Sequence, residues 1–96
     1  MKPISLTPEF EDISRHVIWF EEPKQATADP VRFIAYAMTY GTHDDMKVVR
    51  QQFSDEELIE ALDRAPPGIF DARSWAYWNL KLNRDPDLPM PVRSFD

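Results

Sequence analysis

Most apolar residues in this chain recur three and four positions apart, the spacing of one face of an α-helix. Phe10, Ile13 and Val17 fall at i, i+3 and i+7. Thr7-Pro8-Glu9 ahead of them is a helix-start signal: a capping hydroxyl, Pro at the first helical position and an acid in the first turn. Together they predict a short helix from Pro8 to about His16. The next residues, Val17-Ile18-Trp19-Phe20, are apolar throughout. Periodicity over so few positions does not decide between continued helix and extended chain. Glu22 precedes Pro23 and is pushed out of the helical region, so 23–27 reads as a loop.

The stretch 28–41, ADPVRFIAYAMTYG, is apolar on almost every side when wound as a helix. Only Arg32 and Thr39, seven apart and therefore on one stripe, are clearly polar. A helix apolar all round must be enclosed by other elements. This one is too short to span a bilayer, so the enclosure is expected to be protein. Asp29 or Thr27 can cap its start, Pro30 suits its first position, and Gly41 suits a left-handed stop.

Thr42 caps a following helix, with Asp45 three residues on in a capping-box arrangement and Met46, Val49 and Phe53 as its stripe. Ser54 and Glu57 form a second capping box, after which Leu58, Ala61, Leu62 and Ala65 fall at i, i+3, i+4 and i+7. Pro66-Pro67-Gly68 ends that helix, and Ile69 and Phe70 are expected to tuck inward. Asp71 caps a last helix from Ala72 to about Asn83. Its apolar arc is Trp75, Trp78 and Leu82, extended by Ala72, Ala76 and Leu80. Residues 84–96 hold Pro86, Pro89 and Pro91 and read as an extended, polyproline-like arm. The expectation is an all-α fold: one domain, 1–96, with an N-terminal arm (1–6), a helical core (7–83) and an extended tail (84–96). About five helices form an irregular bundle around the buried helix 28–41, with sequential helices adjacent because their links are short.

Composition narrows the chemistry. The absence of cysteine among 96 residues excludes disulfides, thiolate metal sites and thiol catalysis. The start, MKPISLTPEF, has no apolar run of signal-peptide length, and no transmembrane stretch is present, so a cytoplasmic location is expected. With 17 acidic against 11 basic residues the net charge is −6, which disfavours general attraction to nucleic acid. No Lys/Arg cluster stands out along the chain.

His43-Asp44-Asp45 has the look of a metal-dependent phosphohydrolase pair, but only His16 remains as a further histidine, and first-turn acids are ordinary helix-start chemistry. None of Ser5, Ser14, Ser54, Ser74 and Ser94 lies in a nucleophile elbow, and Gly41 and Gly68 stand apart from any phosphate-binding loop. No catalytic residue, cofactor or metal is therefore expected. Residues 42–65 form a helix–turn–helix, which would allow a DNA-binding autorepressor; the second helix, DEELIEALDRA, carries five acids against Arg64, the wrong charge for phosphate contacts. Asn79 falls inside the apolar arc of the last helix and needs partners there. It either satisfies backbone groups of a loop near 19–23 or faces a groove or partner. The remaining candidates are partner contacts: the acidic strip Asp55, Glu56, Glu60 and Asp63, which is otherwise a solvated helix face; Tyr77, which points about 200° away from Trp75; and Phe95 near the end of the tail.

Trp19-Phe20-Glu21-Glu22, then Asp29-Pro30 opening an apolar helix that ends Tyr40-Gly41-Thr42, then Asp71-x-Arg73-Ser74-x-x-x-Trp78, together resemble a group of small bacterial helical proteins. These are encoded beside nucleotidyltransferase-like toxins of the abortive-infection type and are taken to be their antitoxins. The resemblance runs from about Ile18 to Leu82 and has no catalytic signature. It implies a non-enzymatic protein that works by protein–protein contact, with a cognate basic toxin as partner. An orphan regulatory subunit of another complex is the alternative.

Overall fold

The computed structural model describes residues 3–91, and among these all regular structure is helical. Six helices follow in order: α1 (Pro8–Val17), α2 (Pro23–Ala26), α3 (Pro30–Tyr40), α4 (His43–Gln52), α5 (Asp55–Arg64) and α6 (Ala72–Lys81). None is long and apolar enough to cross a membrane.

Local chemistry sets where the helices begin. A helix leaves its first four N–H groups without intrahelical partners, and a side-chain oxygen meets one of them at five of the six starts. Thr7 accepts from Phe10, Asp29 from Arg32 and Asp71 from Ser74. Thr42 and Ser54 each complete a reciprocal capping box, with Asp45 and Glu57 returning a bond to the cap's own backbone N–H. Asp29, not Thr27, is thus the cap of α3. Thr27 is buried and closes α2 instead, its hydroxyl donating to the Pro23 carbonyl at 2.9 Å.

Three expectations about boundaries need correction. Residues 23–27 are not a plain loop: with Glu22 extended, as Pro23 demands, Pro23 opens the one-turn helix α2. Gly41 is not a left-handed stop; its backbone is extended, at φ −70° and ψ 154°. Glycine is required there for space, because a methyl group would overlap the Ala37 carbonyl oxygen, which accepts from the Gly41 N–H at 2.8 Å. The tail does not run on as an extended arm from residue 84. Residues 82–88 make two turns, with Arg84 N–H donating to Asn79 and Leu88 N–H to Asp85. Residues 92–96, and with them Phe95, lie outside the described residues.

Helix α3 is the hub, in contact with α1, α4, α5 and α6, while α2 packs on α1. Phe33, Ile34, Ala35, Ala37 and Met38 of α3 are buried. Phe10 stands edge-on to both Phe33 and Phe53, at centroid distances of 6.0 and 6.2 Å. Leu58, Ala61, Leu62 and Ala65 close the core from α5, and Ile69 and Phe70 do turn inward. Trp75 and Trp78 are buried with their indole N–H groups satisfied, on the Leu88 and Met38 carbonyls, both at 2.7 Å. The second bond matters for α3: Met38 belongs to its last turn, whose carbonyls lack intrahelical donors, and Trp78 supplies one from across the core. The buried arc of α6 is narrower than expected. Leu80 is 65% exposed, since on the helical wheel it lies about 140° from Trp75, beyond the reach of the core.

Candidate functional site

The segment between α1 and α2 is neither continued helix nor strand. Ile18 caps α1, its N–H on the Ser14 carbonyl, and its side chain is fully buried. The chain then turns, with Glu21 N–H donating to the Ile18 carbonyl. Anchored at Ile18, the turn throws the next two side chains outward: Trp19 is 78% and Phe20 51% exposed. The far end of the turn is clamped. Both Glu21 carboxylate oxygens accept from the Arg32 guanidinium, at 2.7 and 3.0 Å, in a half-buried bidentate pair. That hydrogen bond first, and the cation's charge after it, hold the Glu21 carboxyl below its ordinary pKa; the same bond raises that of Arg32.

Arg32, Tyr36 and Tyr40 succeed one another at i, i+4 and i+8 on α3, one face of the helix. The Arg32 guanidinium lies 5.3 Å from the centre of the Tyr36 ring. Four rings then form an unbroken row: Trp19 to Phe20 at 5.6 Å, Phe20 to Tyr36 at 6.0 Å, and Tyr36 to Tyr40 at 6.0 Å, the last pair stacked. Tyr40 is 55% exposed. The expected enclosure of α3 on all but its Arg32–Thr39 edge therefore fails on one side: the open edge widens to take in Tyr40 and part of Tyr36. Tyrosine tolerates this position because its ring packs on neighbours while its hydroxyl stays in water. Exposed large apolar residues scattered singly are ordinary, whereas a contiguous row is the mark of a contact surface.

The acidic strip expected to bind a partner is present on α5, with Asp55, Glu56 and Asp63 exposed and Glu60 half-buried. Much of its charge is engaged within the chain: Asp55 with Arg50 at 3.1 Å, Glu60 with Arg64 at 3.5 Å and Asp63 with Arg84 at 2.7 Å. Tyr77 is half exposed, as expected. It lines a groove between α4 and α6 whose lining includes none of the four acids.

That groove is the feature reading along the chain missed. Lys47 and Arg50 come to it from α4, with His43 of the same helix, and Arg73 and Lys81 from α6. Met38, Met46 and Trp78 supply apolar lining, and the cavity volume is about 370 Å³. The Lys81 ammonium sits 5.8 Å from the Tyr77 ring centre, and Tyr77 meets Trp78 edge-on at 5.2 Å. Nothing in the one-dimensional spacing of these cations, spread over 35 positions from 47 to 81, marks them as neighbours. The helical period does place Arg73, Tyr77 and Lys81 on one face of α6.

The other sequence candidates find local employment. Asp45 completes the capping box at Thr42 and also meets His16, with Nδ1 and Oδ2 2.7 Å apart, tying the end of α1 to the start of α4. No group of three or more metal-binding side chains converges among the described residues. Ser54 caps α5 and Ser14 donates to the Glu11 carbonyl. Asn79 is fully buried, but it reaches no loop near 19–23: its amide donates to the Trp75 carbonyl of its own helix at 2.8 Å. Its Oδ1 has no partner among the described residues. Comparison of the chain with protein-family models, with curated proteins and with solved structures finds no match.

Proposed function

We propose that this protein is a non-enzymatic protein-interaction module, and that it acts as the antitoxin-like partner of a nucleotidyltransferase-like toxin. The observation that carries the interaction reading is the row Trp19–Phe20–Tyr36–Tyr40, four linked aromatic rings of which three are more than half exposed. Aromatic anchors of this kind dominate binding energy at protein interfaces. Their presentation here is rigid, since Ile18 is buried on one side of the turn and Glu21 is clamped by Arg32 on the other. A pre-organised surface loses little conformational entropy on binding.

The toxin as partner is supported by the sequence resemblance. Two of the segments that carry it, Trp19-Phe20 and Tyr40-Gly41-Thr42, are 20 residues apart in the chain and supply the two ends of the aromatic row. In this reading the row is the main contact. The acidic face of α5 steers association with a basic toxin, and Phe95 adds an apolar contact. The DNA-binding alternative gains nothing from α5, whose first turn is acidic at Asp55, Glu56 and Glu57.

Co-expression of the chain with the tagged product of the neighbouring toxin gene, followed by affinity capture, tests the proposal. A stoichiometric complex is expected, lost or weakened by Phe20→Ser with Tyr40→Ser. Absence of a complex at micromolar concentration refutes the toxin reading. An intact complex with the doubly substituted chain refutes the aromatic row as its seat.

A further inference from the structure

We propose that the groove between α4 and α6 is a second docking site, one that takes an acidic peptide segment of a partner protein anchored by a bulky apolar side chain. The charge pattern comes first. Acids outnumber bases 17 to 11 in the chain, yet the groove is lined by four Lys/Arg side chains and no Asp or Glu. Four of the basic side chains among the described residues are thus gathered on one groove of an acidic protein. An apolar floor beneath those cations lowers the local dielectric and strengthens their attraction for an anion.

The shape argues for a segment of chain over a compact anion. Arg73 and Lys81 are eight residues apart on α6, about 12 Å along its axis. Lys47 and Arg50 line the opposite wall from α4. Arg50 is already shared with Asp55, and Lys81 rests over the Tyr77 ring. The four cations are thus rooted at separate points on two helices, and two of them already have partners within the chain, which suits a segment of chain better than one compact anion. The rise of about 12 Å between the Arg73 and Lys81 positions matches three or four extended residues at roughly 3.3 Å each, or two turns of helix. The cavity of about 370 Å³ has room for one large side chain at its floor. Two methionines there, Met38 and Met46, supply the adaptable lining that suits apolar anchors of varied shape. Tyr77, exposed between Arg73 and Lys81, offers a ring to the anchor and a hydroxyl to the peptide backbone. The ligand implied is two or more Asp/Glu flanking a Leu, Phe or Trp. This site shares no side chain with the aromatic row, so either can fail without the other.

The test is selection of random dodecapeptides displayed on phage against the intact chain, followed by anisotropy titration of the leading peptide carrying a fluorescein label. Enriched peptides are expected to combine acids with an aromatic or leucine residue. Binding is expected to weaken with salt and to fall about tenfold or more in the Lys47→Glu, Arg73→Glu chain, as two charge pairs become repulsive. Lys47→Gln with Arg73→Gln gives the same direction if the reversal unfolds the chain. Phe20→Ser is expected to leave peptide affinity unchanged. The proposal is overturned by failure to enrich any peptide, by enrichment without acids, by affinity indifferent to the Lys47 and Arg73 substitutions, or by full displacement with millimolar inorganic phosphate or AMP, which would make this a small-anion site.

Discussion

Phe33 offers the most direct test of the architecture. It is fully buried in the first turn of α3 and stands edge-on to Phe10 at 6.0 Å and 63°. Phe33→Leu keeps the site apolar and helical but removes the ring. The lost edge-to-face contact is worth roughly 0.5–1.5 kcal/mol beyond area burial. The space vacated by the ring adds a cavity cost, bringing the expected destabilisation to about 1–3 kcal/mol. A domain of this size has about 5–15 kcal/mol in total, so the variant should fold and remain measurable. The counterpart is Tyr40→Ala on the same helix, where a half-exposed ring stacks only on Tyr36 at 6.0 Å; the expected cost is below about 1 kcal/mol. Urea unfolding followed by tryptophan fluorescence and by far-UV circular dichroism gives both numbers. A Tm lowered by about 4–8 °C for each kcal/mol provides a check. If Phe33→Leu falls within about 0.5 kcal/mol of the parent, or Tyr40→Ala costs as much, α3 is not the buried hub described above.

Gly41→Ala is expected to cost about 1–3 kcal/mol in the same unfolding assay, because the added methyl overlaps the Ala37 carbonyl oxygen. Asp71→Ala removes the cap of α6 and is expected to cost about 1 kcal/mol at neutral pH. The backbone N–H of Ser74, then its hydroxyl, hold the folded Asp71 carboxyl below its ordinary value of 3.8. The stabilisation is therefore complete above the unfolded value and lost as pH falls through the lower folded one. Urea midpoints measured from pH 7 down to pH 2 should show the gap between parent and variant closing below about pH 4; a constant gap contradicts the charge assignment. Arg32→Gln releases the Glu21 side chain and should leave helix content unchanged while speeding hydrogen exchange of the Glu21 amide, which donates to the Ile18 carbonyl across the turn, as read by NMR. Unaltered exchange there would mean that the turn is held by Ile18 alone.

Helix starts were legible in the sequence because their causes are local. A Ser, Thr or Asp ahead of an apolar stripe acts on N–H groups two or three residues away, and Thr7, Asp29, Thr42, Ser54 and Asp71 all do so. The buried stripes of α1, α4 and α5 follow from the same short-range periodicity. The short helix α2 was hidden because one turn is too brief for periodicity to register. The reason for glycine at position 41 is not legible in the sequence: its φ is ordinary, and what demands the missing side chain is the Ala37 carbonyl beside it in space.

What sequence alone determined is the class of this protein: helical, acidic, and free of thiol chemistry. The open edge of α3 and the groove were decided only by tertiary structure. Whether an apolar helix is enclosed depends on how many neighbours fit around it, and α3 leaves Tyr36 to meet Phe20, from a turn 16 residues upstream, and Tyr40 to stack on Tyr36. Likewise Lys47 and Arg50 become neighbours of Arg73 and Lys81 only because α4 and α6 flank the same end of α3. Charge composition sums over the whole chain, whereas a potential depends on distance, and the fold sets the distances.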